Sequence, residues 1–211
     1  YLSLDFTFRS MPDTEPLMRD LARQGVRLCF VVFDLLPLLR PDWWPTGMSA
    51  RFEVWLRRLL GVADTVCCIS QSVAEELEAW MNGAALSFQY RRPAVHWFHL
   101  GADLERSAPS TGWPDAYAKV TDAMNARPTF LMVGTLEPRK GHAHALTAFE
   151  ALWADGHALN LIIVGKSGWL IDDLIERIRS HPENGDRLFW LSNASDECLE
   201  DLYGRATCLL A

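Results

Sequence analysis

The sequence predicts an α/β fold built from two doubly wound parallel sheets. Short apolar runs alternate along the chain with polar or glycine turns and with amphipathic helical stretches. Most of these runs are continuously apolar, which is typical of parallel strands covered on both faces. Hydrophobic residues make up 49% and charged residues 22% of the 211 residues, so the chain can bury a sizeable core.

The first half of the chain contains three predicted strands. They are the apolar, β-branched and aromatic runs VRLCFVVF (26–33), DTVCCIS (64–70) and AVHWFHL (94–100). Amphipathic spacing predicts helices at about 15–24, 49–60 and 72–82. Ser72 and Glu75 have the spacing of a capping box, so we expect Ser72 to cap the third of these helices.

The second half contains four predicted strands and three helices. The strands are 129–134, 160–165, 187–192 and 206–211, and the helices are about 141–155, 169–181 and 195–204. We expect Ser195 to cap the last helix.

A segment rich in proline, serine and charge separates the halves. We interpret residues 104–128, within which we expect a short helical piece, as an interdomain connection between two Rossmann-like domains at 1–103 and 129–211. A complete doubly wound domain has about five or six strands, and each half shows fewer. We therefore expect both domains to be incomplete and the chain to be a fragment cut at both ends.

Composition excludes several classes of function. The net charge of −7 argues against nucleic acid as the main partner, because binding to a phosphate backbone needs a basic face. No apolar run reaches the ~18 residues of a membrane span. The five cysteines form no C-x-x-C pair, and we interpret them as reduced residues of a cytoplasmic protein. His142 and His144 have no third ligand nearby, so no metal site is predicted.

Glycines and cations follow two of the predicted strands in the second half. After 129–134 come Gly134, Thr135, Glu137, Arg139 and Lys140, and after 160–164 come Gly165, Lys166 and Gly168. Ligands of open α/β sheets bind at the carboxyl ends of the strands, where glycines allow close approach and helix amides attract anions. These turns predict a diphosphate site. A solvated turn in which Glu137 pairs with the cations explains the spacing about as well.

Nucleotide motifs of other kinds are absent from these turns. The stretch GTLEPRKGH is not a P-loop, and no G-x-G-x-x-G occurs in the sequence. In the first half, Asp34 follows a buried strand and precedes a proline-rich loop. It would either orient or deprotonate an acceptor hydroxyl or cap the turn, and spacing alone does not decide between them.

The motifs taken together resemble glycosyltransferase family four, and in particular its mannosyltransferase-like enzymes of bacterial surface polysaccharide synthesis. The resemblance covers nearly the whole chain in the right order. It is carried by FVVFDLLPLLRPDWWP (30–45), ADTVCCISQSVAEEL (63–77), FHLGAD (98–103), FLMVGTLEPRKGHAHALTAFEAL (130–152), LIIVGKSGW (161–169) and RLFWLSNASDECLEDLYGRA (187–206). The third motif contains the family's Gly-x-Asp at residues 101–103.

The resemblance implies a GT-B fold, with residues 1–103 as the C-terminal part of an acceptor-side domain and 129–211 as the N-terminal part of a nucleotide-sugar-binding domain. The implied reaction is a retaining transfer of mannose from a nucleoside-diphosphate sugar, GDP-mannose by analogy, to a glycan or lipid-linked acceptor. No cofactor or metal is implied. The location implied is cytoplasmic, with peripheral contact at the inner membrane face as an alternative that Trp43 and Trp44 would suit.

The resemblance also implies roles for individual residues. Arg139 and Lys140 would stabilise the departing diphosphate, with Asp34 as a third catalytic residue on the acceptor side. Donor-binding roles fall to Gly134, Thr135, Glu137, Lys166 and Asn193.

Two departures from the family pattern limit what the resemblance implies. Phe33 stands where many relatives have His, and the family's Glu-x7-Glu segment would begin just after residue 211. We expect the chain by itself to have little or no transferase activity. A non-catalytic module that binds nucleotide-sugars is the alternative function.

Overall fold

The computed structural model describes residues 1–4, 11–86, 88, 91–101 and 108–211. The chain divides into two compact units, Tyr1–Asp103 and Leu104–Ala211. Each unit contains one four-stranded sheet in which all neighbouring strands are parallel. The predicted α/β class with two parallel sheets is therefore correct.

The first unit has the sheet order β1-β2-β3-β4. Its elements are β1 (Leu2–Ser3), α1 (Met11–Arg23), β2 (Cys29–Val32), α2 (Leu36–Leu39), α3 (Met48–Val62), β3 (Thr65–Cys68), α4 (Gln71–Gly83) and β4 (Ala94–Trp97), with a 3₁₀ turn at Pro41–Trp43. Its core packs helices α1, α3 and α4 against the sheet. Trp55 and Leu59, which share one face of α3, are both buried in this core. The core therefore accounts for the amphipathic pattern of that helix.

The second unit has the sheet order β7-β6-β5-β8. Its elements are α5 (Tyr117–Ala126), β5 (Thr129–Val133), α6 (His142–Ala154), β6 (Asn160–Val164), α7 (Asp172–Ser180), β7 (Leu188–Leu191), α8 (Asp196–Arg205) and β8 (Cys208–Leu210), with a 3₁₀ turn at Pro138–Lys140.

Helices cover both faces of the second sheet. Every residue of β6 is buried. Leu161 and Ile163 pack in a core with Phe149 of α6, whereas Ile162 packs on the opposite face with Leu202 of α8. This two-sided burial explains why the strand is a continuous apolar run.

All seven predicted strands and all six predicted helices are present, with bounds that differ by a few residues. The two-residue β1 and the one-turn α2 were not predicted. The segment 104–128, which we interpreted as a connection, contains α5, and Val120 and Ala123 of this helix lie in the core of the second unit.

One of the two predicted helix caps is wrong. Ser70, not Ser72, caps α4, because its backbone is extended and its hydroxyl oxygen accepts a hydrogen bond from the N–H of Val73 at 3.3 Å. The prediction for α8 is confirmed, since the Ser195 hydroxyl accepts from the N–H of Cys198 at 3.1 Å. Among the described residues, no helix is long and apolar enough to cross a membrane.

Candidate functional site

Two glycines extend the parallel pairing of the second sheet beyond its strands. The N–H of Gly134 donates to the carbonyl of Val164, and the N–H of Gly165 donates to the carbonyl of Leu191, each at 2.9 Å. The indole N–H of Trp190 donates to the carbonyl of Gly165 at 2.9 Å. The turns after β5 and β6 are thus held side by side at the carboxyl edge of the sheet.

These two turns approach so closely that side chains are excluded between them. A Cβ at Gly165 would lie 1.9 Å from the carbonyl oxygen of Gly134, and the φ of Gly165 is +155°. A Cβ at Gly168 would lie 2.5 Å from the carbonyl oxygen of Leu136. The backbone of Leu136 also makes two hydrogen bonds to the second turn. Its N–H donates to the carbonyl of Lys166, and its carbonyl accepts from the N–H of Gly168, each at 2.9 Å. The glycines are therefore required by backbone contact between the turns.

Glu137 and Arg139 form an ion pair in the first turn. The Glu137 residue is only 3% exposed, and its Oε1 lies 2.6 Å from a guanidinium nitrogen of Arg139, which is itself about one-third exposed. A buried carboxylate needs such a partner. The structure thus shows the pairing that the solvated-turn interpretation required, but for Arg139 only.

Lys140 differs from Arg139 in its surroundings. Its side chain is exposed and lies over Gly134, where its Cε would be 3.7 Å from a Cβ on that glycine. Neither Lys140 nor Lys166 pairs with a carboxylate of the described residues. Beside the backbone of the turn, Lys140 therefore offers a cation that no carboxylate of the described residues neutralises.

Helix α6 begins directly after this cation. Gly141 adopts the left-handed conformation with φ +72° and precedes the helix without any side-chain cap. The first amides of an uncapped helix are available to an anion. Glycine backbone, an unpaired lysine and a helix N-terminus thus lie together at the edge of the sheet.

The structure places the remaining predicted donor residues on the same edge. Thr135 is exposed in the first turn, and Lys166 is exposed in the second. Asn193 is exposed in the turn that follows β7, the strand next to β6. The predicted donor residues therefore occupy three turns that follow three neighbouring strands.

Sequence reasoning missed a small cavity beside Lys140. Its volume is about 140 Å³, and it is lined by Met132, Val133, Lys140, His142, Tyr203, Leu209, Leu210 and Ala211. His142 is buried, and burial followed by the charge of Lys140 lowers its pKa below the usual value. His144, two residues further along α6, is exposed. Sequence analysis predicted no role for His142 and His144, and among the described residues no three His, Cys, Asp or Glu side chains cluster to hold a metal ion.

Asp34 lies in the first unit, at the end of β2. Its Oδ1 accepts a hydrogen bond from the N–H of Leu36 at 3.0 Å, so it caps the turn that begins α2. The same residue lines a cavity of about 320 Å³ with Phe33, Pro37, Trp44, Met48, Phe52 and Trp55. The hydrogen bond from Leu36 thus supports the interpretation that Asp34 caps the turn. Of the predicted Gly-x-Asp, Ala102 and Asp103 lie outside the described residues.

Comparison with known proteins identifies relatives of this chain. Residues 115–211 match the family model described as "Glycosyl transferases group 1". Two Escherichia coli proteins, each named "Serotype-specific mannosyltransferase WbdA", are 46% identical to this chain over an aligned length of 213. The alignments cover 99% of this chain, and 26% and 25% of the two relatives. The chain therefore spans about a quarter of the length of these curated relatives.

Solved structures share the fold at low sequence identity. The crystal structure of Anabaena Alr3699/HepE in complex with UDP and glucose matches with a TM-score of 0.63 and 14% identity, over 99% of this chain and 51% of that one. The catalytic domain of starch synthase IV from Arabidopsis thaliana, bound to ADP and acarbose, matches with a TM-score of 0.54 and 14% identity, over 97% of this chain and 50% of that one. These matches confirm the α/β fold of GT-B type that the sequence predicted.

Proposed function

We propose that this chain belongs to the family "Glycosyl transferases group 1", whose model its residues 115–211 match, and that it is part of a retaining glycosyltransferase. The reaction moves mannose from a nucleoside-diphosphate sugar to a hydroxyl of a glycan or lipid-linked acceptor. The protein as a whole is the catalyst, since the chain spans only a quarter of its curated relatives.

The observation that carries this proposal is the pair of turns after β5 and β6. They bring together glycine backbone, the N-terminus of α6 and Lys140, a cation that no carboxylate of the described residues neutralises. The helix N-terminus and the cation attract an anion, and the glycines allow it to approach the backbone closely. A cation left unpaired beside an uncapped helix suits a charged ligand better than a solvated turn.

Each residue of the site has a proposed part in the reaction. As the bond from sugar carbon to phosphate oxygen breaks, negative charge grows on the leaving diphosphate, and Lys140 and Arg139 stabilise it. The ion pair with Glu137 holds the guanidinium of Arg139 in place. Gly134 and Thr135 lie along the diphosphate, and Lys166 adds a third cation.

The names of the relatives favour mannose as the transferred sugar. Asn193, in the turn after β7, contacts the nucleotide base in this proposal. GDP-mannose is the donor we propose, and UDP- and ADP-sugars are the alternatives, since solved structures of the same fold carry UDP or ADP.

The first unit binds the acceptor in this proposal. One carboxylate oxygen of Asp34 accepts the hydrogen bond from the N–H of Leu36, and the second oxygen orients the acceptor hydroxyl. The five cysteines are free thiols, which supports a reducing compartment, and we therefore place the reaction in the cytoplasm. A lipid-linked acceptor would bring the protein to the inner membrane face.

The proposal is tested with the full-length protein, GDP-mannose, UDP-glucose and ADP-glucose, and a mannan oligosaccharide as acceptor. Release of nucleoside diphosphate measures turnover, and NMR of the new linkage shows whether the anomeric configuration of the donor is retained. We expect Lys140→Ala to lower kcat by roughly 10²–10³-fold, as for loss of one transition-state donor.

Lys119→Ala is the matched control, because Lys119 is an exposed lysine on α5 whose Nζ lies beside Gly185, in the segment before β7. It should leave turnover unchanged. Binding of a nucleotide-sugar without turnover by the full-length protein would favour the alternative of a non-catalytic binding module. Turnover that is indifferent to Lys140 would refute the site.

A further inference from the structure

The small cavity beside Lys140 has an apolar lining from two strands and a few polar side chains from the turn and helices around them. It lies where β5 and β8 end and where α6 begins, and four of its lining residues come from those strands: Met132, Val133, Leu209 and Leu210. The polar side chains on it are Lys140, His142 from α6 and Tyr203 from α8. The described side chains that line the cavity include one cation and no carboxylate, which suits part of an anionic ligand.

His142 is the feature of this cavity that the fold does not explain. It is the first residue of α6 and only 2% exposed, yet its Nδ1 is buried without a hydrogen-bond partner among the described residues. Buried polar atoms nearly always have a partner, so each exception needs an explanation, such as a catalytic role or a bound ion. An apolar side chain would fill this position without that penalty.

We infer that His142 is a further anion-binding residue of the proposed donor site, and that its imidazole takes up a proton when the diphosphate binds beside Lys140. The inference rests on the proposed function and extends it by one residue and one proton. That proton comes from the solvent and is released again when the diphosphate leaves.

The surroundings of the imidazole favour its neutral form before the ligand binds. Lys140 faces it from the 3₁₀ turn, Tyr203 from α8, and the positive end of the α6 dipole lies at its own backbone. Burial and Lys140 both lower its pKa. A diphosphate in the cavity places negative charge beside the ring, which reverses this balance and favours the imidazolium.

The consequence is a coupling between pH and donor affinity. Since the bound form holds one more proton than the free form, affinity rises as the pH falls, by up to about tenfold per pH unit. His144 on the same helix is exposed and does not line the cavity, so we expect it to take no part in this coupling.

The test is calorimetric titration of GDP-mannose into the full-length protein at pH 6.5, in two buffers with different enthalpies of ionisation. The nucleotide-sugar is preferable to GDP, whose terminal phosphate itself titrates near this pH. The buffer dependence of the heat gives the number of protons bound. We expect a fraction of a proton for the unmodified protein and for His144→Asn, and none for His142→Asn.

His142→Gln is the second variant, since Asn and Gln place their amides near different ring nitrogens, and circular dichroism verifies that both variants fold. Equal proton uptake by the unmodified protein and both His142 variants would overturn the inference and leave the proposed function intact. If the unmodified protein binds none of the three ligands GDP-mannose, UDP-glucose and ADP-glucose, the proposed function and the inference are overturned together.

Discussion

Gly165→Ala tests directly whether the two turns of the site depend on backbone contact. The added methyl carbon would lie 1.9 Å from the carbonyl oxygen of Gly134, about 1.5 Å short of the 3.4 Å at which ordinary contact begins. Neither atom belongs to a flexible side chain, so the turns must move apart. The hydrogen bonds from Gly134 to Val164 and from Gly165 to Leu191 are then strained or lost.

Two effects contribute to the loss of stability that we expect from Gly165→Ala. The φ of +155° is unfavourable for alanine and costs about 1–3 kcal/mol. Overpacking against backbone adds about 1–3 kcal/mol. We therefore expect Gly165→Ala to lower the free energy of unfolding by about 2–6 kcal/mol.

Gly156→Ala is the matched control for this prediction. Gly156 has a φ of +86°, but nothing lies within 4 Å of the position of its Cβ, so only the conformational cost applies. Urea unfolding of the full-length protein measures both variants. The reasoning is refuted if Gly165→Ala is no less stable than Gly156→Ala.

Three further predictions concern the cap, the ion pair and the buried histidine. Ser70→Ala should lower the free energy of unfolding by about 1 kcal/mol and Ser72→Ala by less than about 0.5, and a reversed order in urea unfolding would contradict the cap assignment. Arg139→Ala should cost about 1–3 kcal/mol because it leaves the Glu137 carboxylate buried and unpaired, and adding Glu137→Gln should recover part of that loss in a double-mutant cycle. The pKa of His142 is lowered in the folded state, so below its unfolded value of about 6.5 the unfolded chain binds a proton that the folded chain does not. Stability should therefore fall between pH 7.5 and 5.5 with a slope of up to about 1.4 kcal/mol per pH unit from this residue, and His142→Asn should remove that contribution; equal pH dependence of both proteins would contradict the assignment.

Strands of the second sheet could be predicted because burial on both faces leaves a continuous apolar signature, as in β6. The predicted strand at 94–100 was longer than the observed β4, since apolar residues continue to the exposed Phe98 and Leu100 after pairing with β3 has ended. Strand β1 could not be predicted, because a two-residue strand is defined by its pairing with β2 and not by its own pattern. Such pairings are non-local and leave no local trace.

The cap of α4 shows a different limit. The spacing of Ser72 and Glu75 fits a capping box, and only the extended backbone of Ser70 shows where the helix begins. Similarly, α2 was interpreted as a loop because of Pro37, although proline is well tolerated in the first turn of a helix.

The candidate site could be predicted in part. Glycine and cation neighbours along the chain indicated the turns after β5 and β6. The contact of Gly165 with Gly134, the burial of His142 and the position of Tyr203 depend on segments far apart in sequence. The sequence could not show either that Glu137 would neutralise Arg139 and leave Lys140 unpaired, because both cations are adjacent to the same carboxylate along the chain.

The most direct test of the account is calorimetric titration of GDP, UDP and GDP-mannose into the full-length protein and its Lys140→Ala variant, with Lys119→Ala as the control. We expect a nucleoside diphosphate to bind, and Lys140→Ala to weaken binding by about 1.5–3 kcal/mol, as for a lost charge-assisted hydrogen bond. That loss corresponds to roughly 10- to 150-fold in Kd. Binding that is indifferent to Lys140, or no binding of any of the three ligands, would contradict the account and leave the cations as part of a solvated turn.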